Sequence, residues 1–164
     1  MITINKIITE LNKYSKNICT LYPGVQDEEI IGLEKKLGFT LPTSFKTFLK
    51  ECNGFELVSD TIYGIHQKKN LDIYKNYLWE KNESNNPLWS HLIPISPDGS
   101  GSHYCFDLKT LTNDNNECKV VYWQYDYDFD DDDPPDVETE TFFDFLWELL
   151  ERIKETNNYD GSDK

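Results

Sequence analysis

The chain has 164 residues, a length suited to one domain, and sets 30 Asp and Glu against 16 Lys and Arg for a formal net charge of −14. That balance excludes a free-standing nucleic-acid binder and a polybasic membrane-surface protein, since both need cationic surface to meet phosphate. Nine Phe, ten Tyr and four Trp supply enough bulk for a core, which excludes a disordered acidic chain. No apolar run approaches the roughly 18–20 residues that span a bilayer. Asn5, Lys6, Glu10 and Asn12 interrupt the stretch in which a signal peptide would be continuously apolar. The expected location is the cytosol, and Cys19, Cys52, Cys105 and Cys118, far apart and without a C-x-x-C pair, read as buried free thiols.

Helical periodicity dominates the first third. Ile4, Ile7, Ile8, Leu11 and Ile18 follow Thr3, a candidate N-cap, and Tyr22-Pro23-Gly24 breaks the run. A second helix is predicted after Asp27, with Ile30, Leu33 and Leu37 on one stripe and Gly38 as its stop. Leu41-Pro42 opens a third, bearing Phe45, Phe48, Leu49 and Cys52, with Asn53-Gly54 ending it. Short β-prone runs follow around Leu57-Val58 and Ile62-Tyr63, then a short helix marked by Leu71, Tyr74 and Leu78. Strands are expected at Leu92–Ser96, at 102–108 beyond the turn Pro97-Asp98-Gly99-Ser100-Gly101, and from Lys119 onward. Tyr104, Phe106 and Leu108 should face one way, and His103, Cys105 and Asp107 the other. Thr141 caps a last helix whose stripe is Phe142, Phe145, Leu146, Leu149, Leu150 and Ile153. The expected fold is α+β: a mostly antiparallel sheet flanked by N-terminal helices and a C-terminal amphipathic helix, one domain over residues 1–155 with a frayed polar tail over 156–164.

Charge is concentrated toward the end of the chain. Residues 1–50 carry net +2, residues 51–119 net −4 and residues 120–164 net −12; Asp126 to Glu140 contains nine acids and no cation. The run Asp130-Asp131-Asp132-Asp133-Pro134-Pro135-Asp136 must be solvated, because gathering carboxylates costs repulsion and burying them costs more. Alternation continues past the strand that begins at Lys119: Tyr125, Tyr127 and Phe129 interleave with Asp126, Asp128 and Asp130. A strand persisting that far would carry aromatic rings on one face and a row of carboxylates on the other. The candidate partner-binding residues are Tyr122, Tyr125, Asp126, Tyr127, Asp128, Phe129, Asp130, Asp131, Asp132, Asp133 and Asp136.

No pattern points to catalysis. Asp126, Asp128 and Asp130 fit positions 1, 3 and 5 of an EF-hand loop, but Asp131 stands where glycine is needed and Val137 where glutamate is needed. His66, His91 and His103 lack a second ligand at helical spacing. Ser102 and His103 are adjacent on a strand and point apart, so they do not form a nucleophile–base pair. The expectation is a non-enzyme without cofactor or metal.

Glu28-Glu29-Ile30-Ile31-Gly32-Leu33-Glu34-Lys35-Lys36-Leu37-Gly38, followed by Leu41-Pro42, Phe45, Phe48-Leu49 and Asn53-Gly54, resembles the amino-terminal signature of the SUKH superfamily. Ile93-Pro94-Ile95 with Asp98-Gly99-Ser100-Gly101, and Val120-Val121-Tyr122-Trp123 leading to Thr141-Phe142-Phe143-Asp144-Phe145-Leu146, resemble its central turn and its closing strand and helix. The chain departs from the pattern at Thr139-Glu140-Thr141-Phe142, where a small-residue Ala-Asp-Ser-Phe entry is usual, and in its longer acidic insert from Asp128 to Asp136. That superfamily includes fungal cell-wall assembly regulators and bacterial immunity proteins. The resemblance implies a sheet flanked by helices, no catalytic residues, and a cytosolic protein that neutralises a cognate toxin domain, often a nuclease. The expected partner is therefore a basic protein, a toxin nuclease domain, with no direct nucleic acid and no membrane. An uncovered edge strand would permit a homodimer. The alternative is a non-enzymatic adaptor or regulator with a partner that is not a toxin.

Overall fold

A computed structural model describes residues 1–164. Thr3 accepts the Lys6 N–H at 3.3 Å and starts helix α1 (Ile4–Leu11), whose Ile7 and Leu11 are fully buried. The expected stripe runs short: Ile18 lies beyond the helix and leads into strand β1 (Cys19–Pro23). Helix α2 (Asp27–Leu37) has Asp27, Glu28 and Glu29 in its first turn and Lys35 and Lys36 in its last, matching the helix dipole at both ends. Gly38 closes it at φ 77°, a left-handed conformation that favours glycine.

Helix α3 (Thr43–Glu51) has proline at its N-cap and no side-chain cap of its own. Glu117 supplies one from far along the chain, accepting the Ser44 N–H at 2.8 Å and the Ser44 hydroxyl at 2.5 Å. The helix passes without a loop into β2 (Cys52–Leu57), which pairs antiparallel with β1 and with β3 (Asp60–Ile62). The Asn53 carboxamide bridges this sheet to the following segment, accepting the Ile65 N–H at 2.7 Å and donating to the Ile65 carbonyl at 2.8 Å. Asp72 caps α4 (Ile73–Asn82) by accepting the Lys75 N–H at 2.9 Å.

A second antiparallel sheet follows, of β4 (Leu92–Pro97), β5 (His103–Asp107), β6 (Lys119–Trp123) and β7 (Asp136–Thr139), in that order. The two sheets meet where the Tyr63 N–H donates to Ile95 O at 2.9 Å and the Ser96 hydroxyl to Thr61 O at 2.7 Å. The expected alternation holds on β5. Tyr104 and Phe106 turn toward α3 and the last helix, α5 (Phe142–Thr156), where Phe106 meets Phe45 and Phe142 at centroid distances of 5.1 and 5.4 Å. His103 turns to the other face, against Glu80 of α4. The sheet is thus covered by helices on both sides. Thr141 caps α5, as expected, accepting the Asp144 N–H at 3.2 Å, and all six residues of the predicted stripe are buried.

The end of the chain is tied down where fraying was expected. Tyr159 O accepts the Ser15 N–H at 2.8 Å, the Tyr159 hydroxyl donates to Glu10 at 2.7 Å, and the ring meets Tyr14 edge-on at 4.9 Å. An aromatic residue in a polar segment supplies both apolar contact and a donor, and it meets Tyr14 on the loop after α1 and Glu10 in the last turn of α1. All four cysteines are free and buried. Burial pushes the Cys52 thiol up to about 12.

Candidate functional site

The acidic segment leaves the second sheet at Trp123. The strand does not persist through Phe129 as the alternation suggests: β6 ends at Trp123, Tyr125 and Asp126 form a turn, and the chain runs irregularly until β7 begins at Asp136. The expected ridge with rings on one face and carboxylates on the other is therefore absent, because clustered carboxylates gain more from solvation than from a ladder.

What replaces the ridge is a braced loop. Tyr125 lies over Gly101, whose φ of 107° suits glycine and whose missing Cβ would sit 3.2 Å from the ring. The Tyr125 N–H donates to the Ser102 hydroxyl at 3.2 Å. Phe129 turns inward, half-buried, with centroid distances of 5.0 Å to Trp123, 6.5 Å to Trp89 and 4.8 Å to Tyr127. Asn86, on the connection after α4, donates its side-chain amide to Tyr127 O at 2.8 Å. The Asp130 carboxylate accepts the N–H groups of Asp132 and Asp133 at 2.9 and 2.8 Å, an Asx turn that closes the four-aspartate run on itself. The Tyr127 hydroxyl donates to Asp133, which raises the phenol's proton affinity above its ordinary value. Pro135 is buried and returns the chain to the sheet.

Of the eleven predicted residues, Tyr125 through Asp133 share this loop, and Asp136 opens β7 as the cross-strand partner of Tyr122. Tyr122 is set apart: it lies on β6 against Tyr104 and donates its hydroxyl to Asp98. Burial pulls the Asp98 carboxyl upward, but hydrogen bonds from Tyr122, Ser100 and Ser102 outweigh it and hold the group below the ordinary carboxylate value. Asp98 therefore extends the anionic surface across the sheet end, although the sequence marks it only as a turn residue. Val137, 48% exposed on the edge strand β7, is a second addition that the sequence does not single out. Tyr125 and Tyr127 are 49% and 42% exposed, so rings and carboxylates share one outward surface.

Titratable groups elsewhere are dispersed. The His103 Nε2 lies 3.2 Å from the Tyr63 hydroxyl, His66 Nε2 lies 2.6 Å from Asn53 O, and His91 lies 3.7 Å from Asp107. Ser102 and His103 do not touch in a nucleophile–base pair; Ser102 is occupied by Tyr125. No three His, Cys, Asp or Glu side chains converge as a metal-ligand set. No helix is long and apolar enough to cross a membrane.

A family model for SUKH proteins, described as SMI1-KNR4 cell-wall, matches residues 4–151. The chain belongs to the SUKH family. The match spans α1 through most of α5 and so includes the acidic loop. A crystal structure of a protein from Pseudomonas syringae pv. tomato is similar in fold, with a TM-score of 0.54 at 17% sequence identity over 74% of this chain and 83% of that one. No curated protein matches the sequence. The fold is α+β, as the sequence reading expects, with its strands divided between two antiparallel sheets where a single sheet was expected.

Proposed function

We propose that this SUKH protein is an immunity protein, which binds and neutralises a cognate cationic toxin domain, a nuclease, in the cytosol. The observation that carries the reading is the loop from Asp126 to Asp136. Its seven aspartates are exposed and none joins an ion pair within the chain. A nuclease needs a basic cleft to hold phosphate, and a fixed carboxylate array imitates that phosphate. Such an array also steers encounter, raising association rates by roughly 10–10³-fold at low salt. Tyr125 and Tyr127 supply rings of the kind that anchor interfaces. The protein's part is non-catalytic: it fills the cleft and excludes the substrate.

The test is co-expression with a toxin domain encoded beside the gene. Rescue of growth supports the reading, and failure of rescue by a well-folded protein refutes it. Asp131→Lys with Asp132→Lys addresses the surface, because neither side chain braces the loop. The expected result is a drop in association rate of about tenfold or more and a flatter salt dependence. Unchanged association kinetics would remove this loop from the interface.

A second reading is an adaptor or regulator with a cationic partner that is not a toxin. The family description, which names the cell wall, favours it. Capture of a housekeeping protein by wild type and not by the Asp131→Lys/Asp132→Lys variant, with no rescue from a toxin, would select this reading.

A further inference from the structure

The segment after β3 reverses the sign of the surface. From Gln67 to Asn82 every exposed charge is a lysine: Lys68, Lys69, Lys75 and Lys81. The two carboxylates of the same segment are turned inward, Asp72 being 5% and Glu80 8% exposed. The chain's lysine ion pairs are made by Lys13, Lys46, Lys50, Lys119 and Lys154, and none by these four. In a chain of 30 acids and 16 cations, four exposed lysines in one stretch, none in an ion pair, form a distinct feature, with Glu83 as the exposed acid at its edge beside Lys69, Lys75 and Trp79. Two of these lysines are backed by rings instead. Lys69 Nζ sits 3.7 Å above the ring of Trp79, and Lys81 Nζ 5.4 Å from that of Tyr77. Trp79 and Leu78 are 46% and 37% exposed, so the face offers apolar area as well as charge. A cleft of about 670 Å³ opens beside it, rimmed by Lys68, Lys69, Asn70 and Asn76.

We infer that this lysine–tryptophan face docks the acidic loop of a second copy of the chain, forming a two-fold dimer. Complementarity decides the occupant: the chain itself carries seven unpaired aspartates with two exposed tyrosines, the counterpart of unpaired lysines with an exposed tryptophan. Placement decides the symmetry. The bond from Asn86 to Tyr127 O sets the connection after α4 against the acidic loop, so the C-terminal end of α4, which carries Lys81, lies beside that loop. Neighbouring patches of opposite sign meet their opposites twice across a two-fold axis, as an isologous interface requires. The net charge of −14 on each copy opposes approach. That repulsion acts between whole molecules and is screened beyond about 8 Å at physiological salt, whereas groups meeting in the interface lie within that distance. The dimer would cover the aspartates assigned to the toxin, so self-association and toxin binding compete.

Sedimentation velocity of the full chain over a concentration series tests this without any toxin, and its outcome is independent of the immunity reading. At about 0.15 M salt, where the net repulsion is screened, the expected species has twice the 19.3 kDa of one chain, and it dissociates at about 1 M salt. Lys69→Glu/Lys75→Glu and Asp131→Lys/Asp132→Lys should each be monomeric alone. Mixed together, they restore both contacts, and a dimer should reappear. Recovery in the mixture also shows that both variants fold. A wild type that stays monomeric at about 0.15 M salt, a dimer indifferent to both variants, or a mixture that fails to pair would each overturn the proposal.

Discussion

Replacing Phe129 with alanine separates a braced acidic loop from a merely solvated one. The ring is half-buried and packs on Trp123 at 5.0 Å and Tyr127 at 4.8 Å, with Trp89 behind at 6.5 Å. A fully buried Phe→Ala change costs about 3–5 kcal/mol; half-burial at the surface, where water refills the gap, brings this to about 2 kcal/mol. Two close aromatic pairs at about 0.5–1.5 kcal/mol each are consistent with that figure. For a chain of this length, about 2 kcal/mol lowers Tm by about 4–8 °C. Thermal unfolding followed by near-ultraviolet dichroism measures the loss, and the emission of Trp89 and Trp123 should shift to the red as both gain water. Hydrogen exchange should accelerate at the amides of Asp132 and Asp133, whose acceptor turn depends on the loop staying in place. Phe→Ala leaves the loop's charge untouched, so the salt dependence of partner binding should not change. An unchanged Tm together with unchanged exchange in the loop would refute the claim that Phe129 anchors it.

Glu117→Ala removes the carboxylate that caps α3 from a distant loop, and a loss of about 1–2 kcal/mol is expected in denaturant unfolding, with Glu117→Gln recovering part of it. Burial lowers the His103 imidazole from 6.5 to about 4, so the unfolded chain binds a proton that the folded chain does not across that window. This residue's share of stability is complete above pH 6.5 and falls by about 3 kcal/mol toward pH 4; the acid limb of a Tm-versus-pH curve should flatten in His103→Gln. Tyr159→Phe deletes the hydroxyl that reaches the buried Glu10, and exchange at the Ser15 amide should quicken as the chain end loosens, with the remaining sheet amides unaffected.

Periodicity made the helices legible because each buries one stripe. α5 shows it best: Phe142, Phe145, Leu146, Leu149, Leu150 and Ile153 are all buried as the spacing requires. Strands were legible where alternation ran through a hairpin, as in β4 and β5, and illegible where local signals conflict. β1 contains a proline and follows a helical pattern, so Ile18 reads as helix. β7 is only Asp136 to Thr139 and is mostly exposed, so no apolar alternation marks it. The acidic loop failed in the opposite direction, since alternation from Tyr125 to Phe129 persists without a strand. Its spacing instead turns Phe129 inward to Trp123 while Tyr125 and Tyr127 stay out. Long-range devices such as Glu117 on Ser44, or Asn86 on Tyr127, leave no local trace, because residues far apart in the chain make them.

The acidic loop divides its labour between residues that hold it and residues that only face outward. Phe129, Asp130, Asp133 and Pro135 carry the packing and the turn, whereas Asp126, Asp128, Asp131 and Asp132 make no side-chain hydrogen bond or ion pair. Substitutions at the second set leave the scaffold's stability nearly untouched. The charge pattern of this outward surface can therefore change one position at a time while the architecture beneath stays constant.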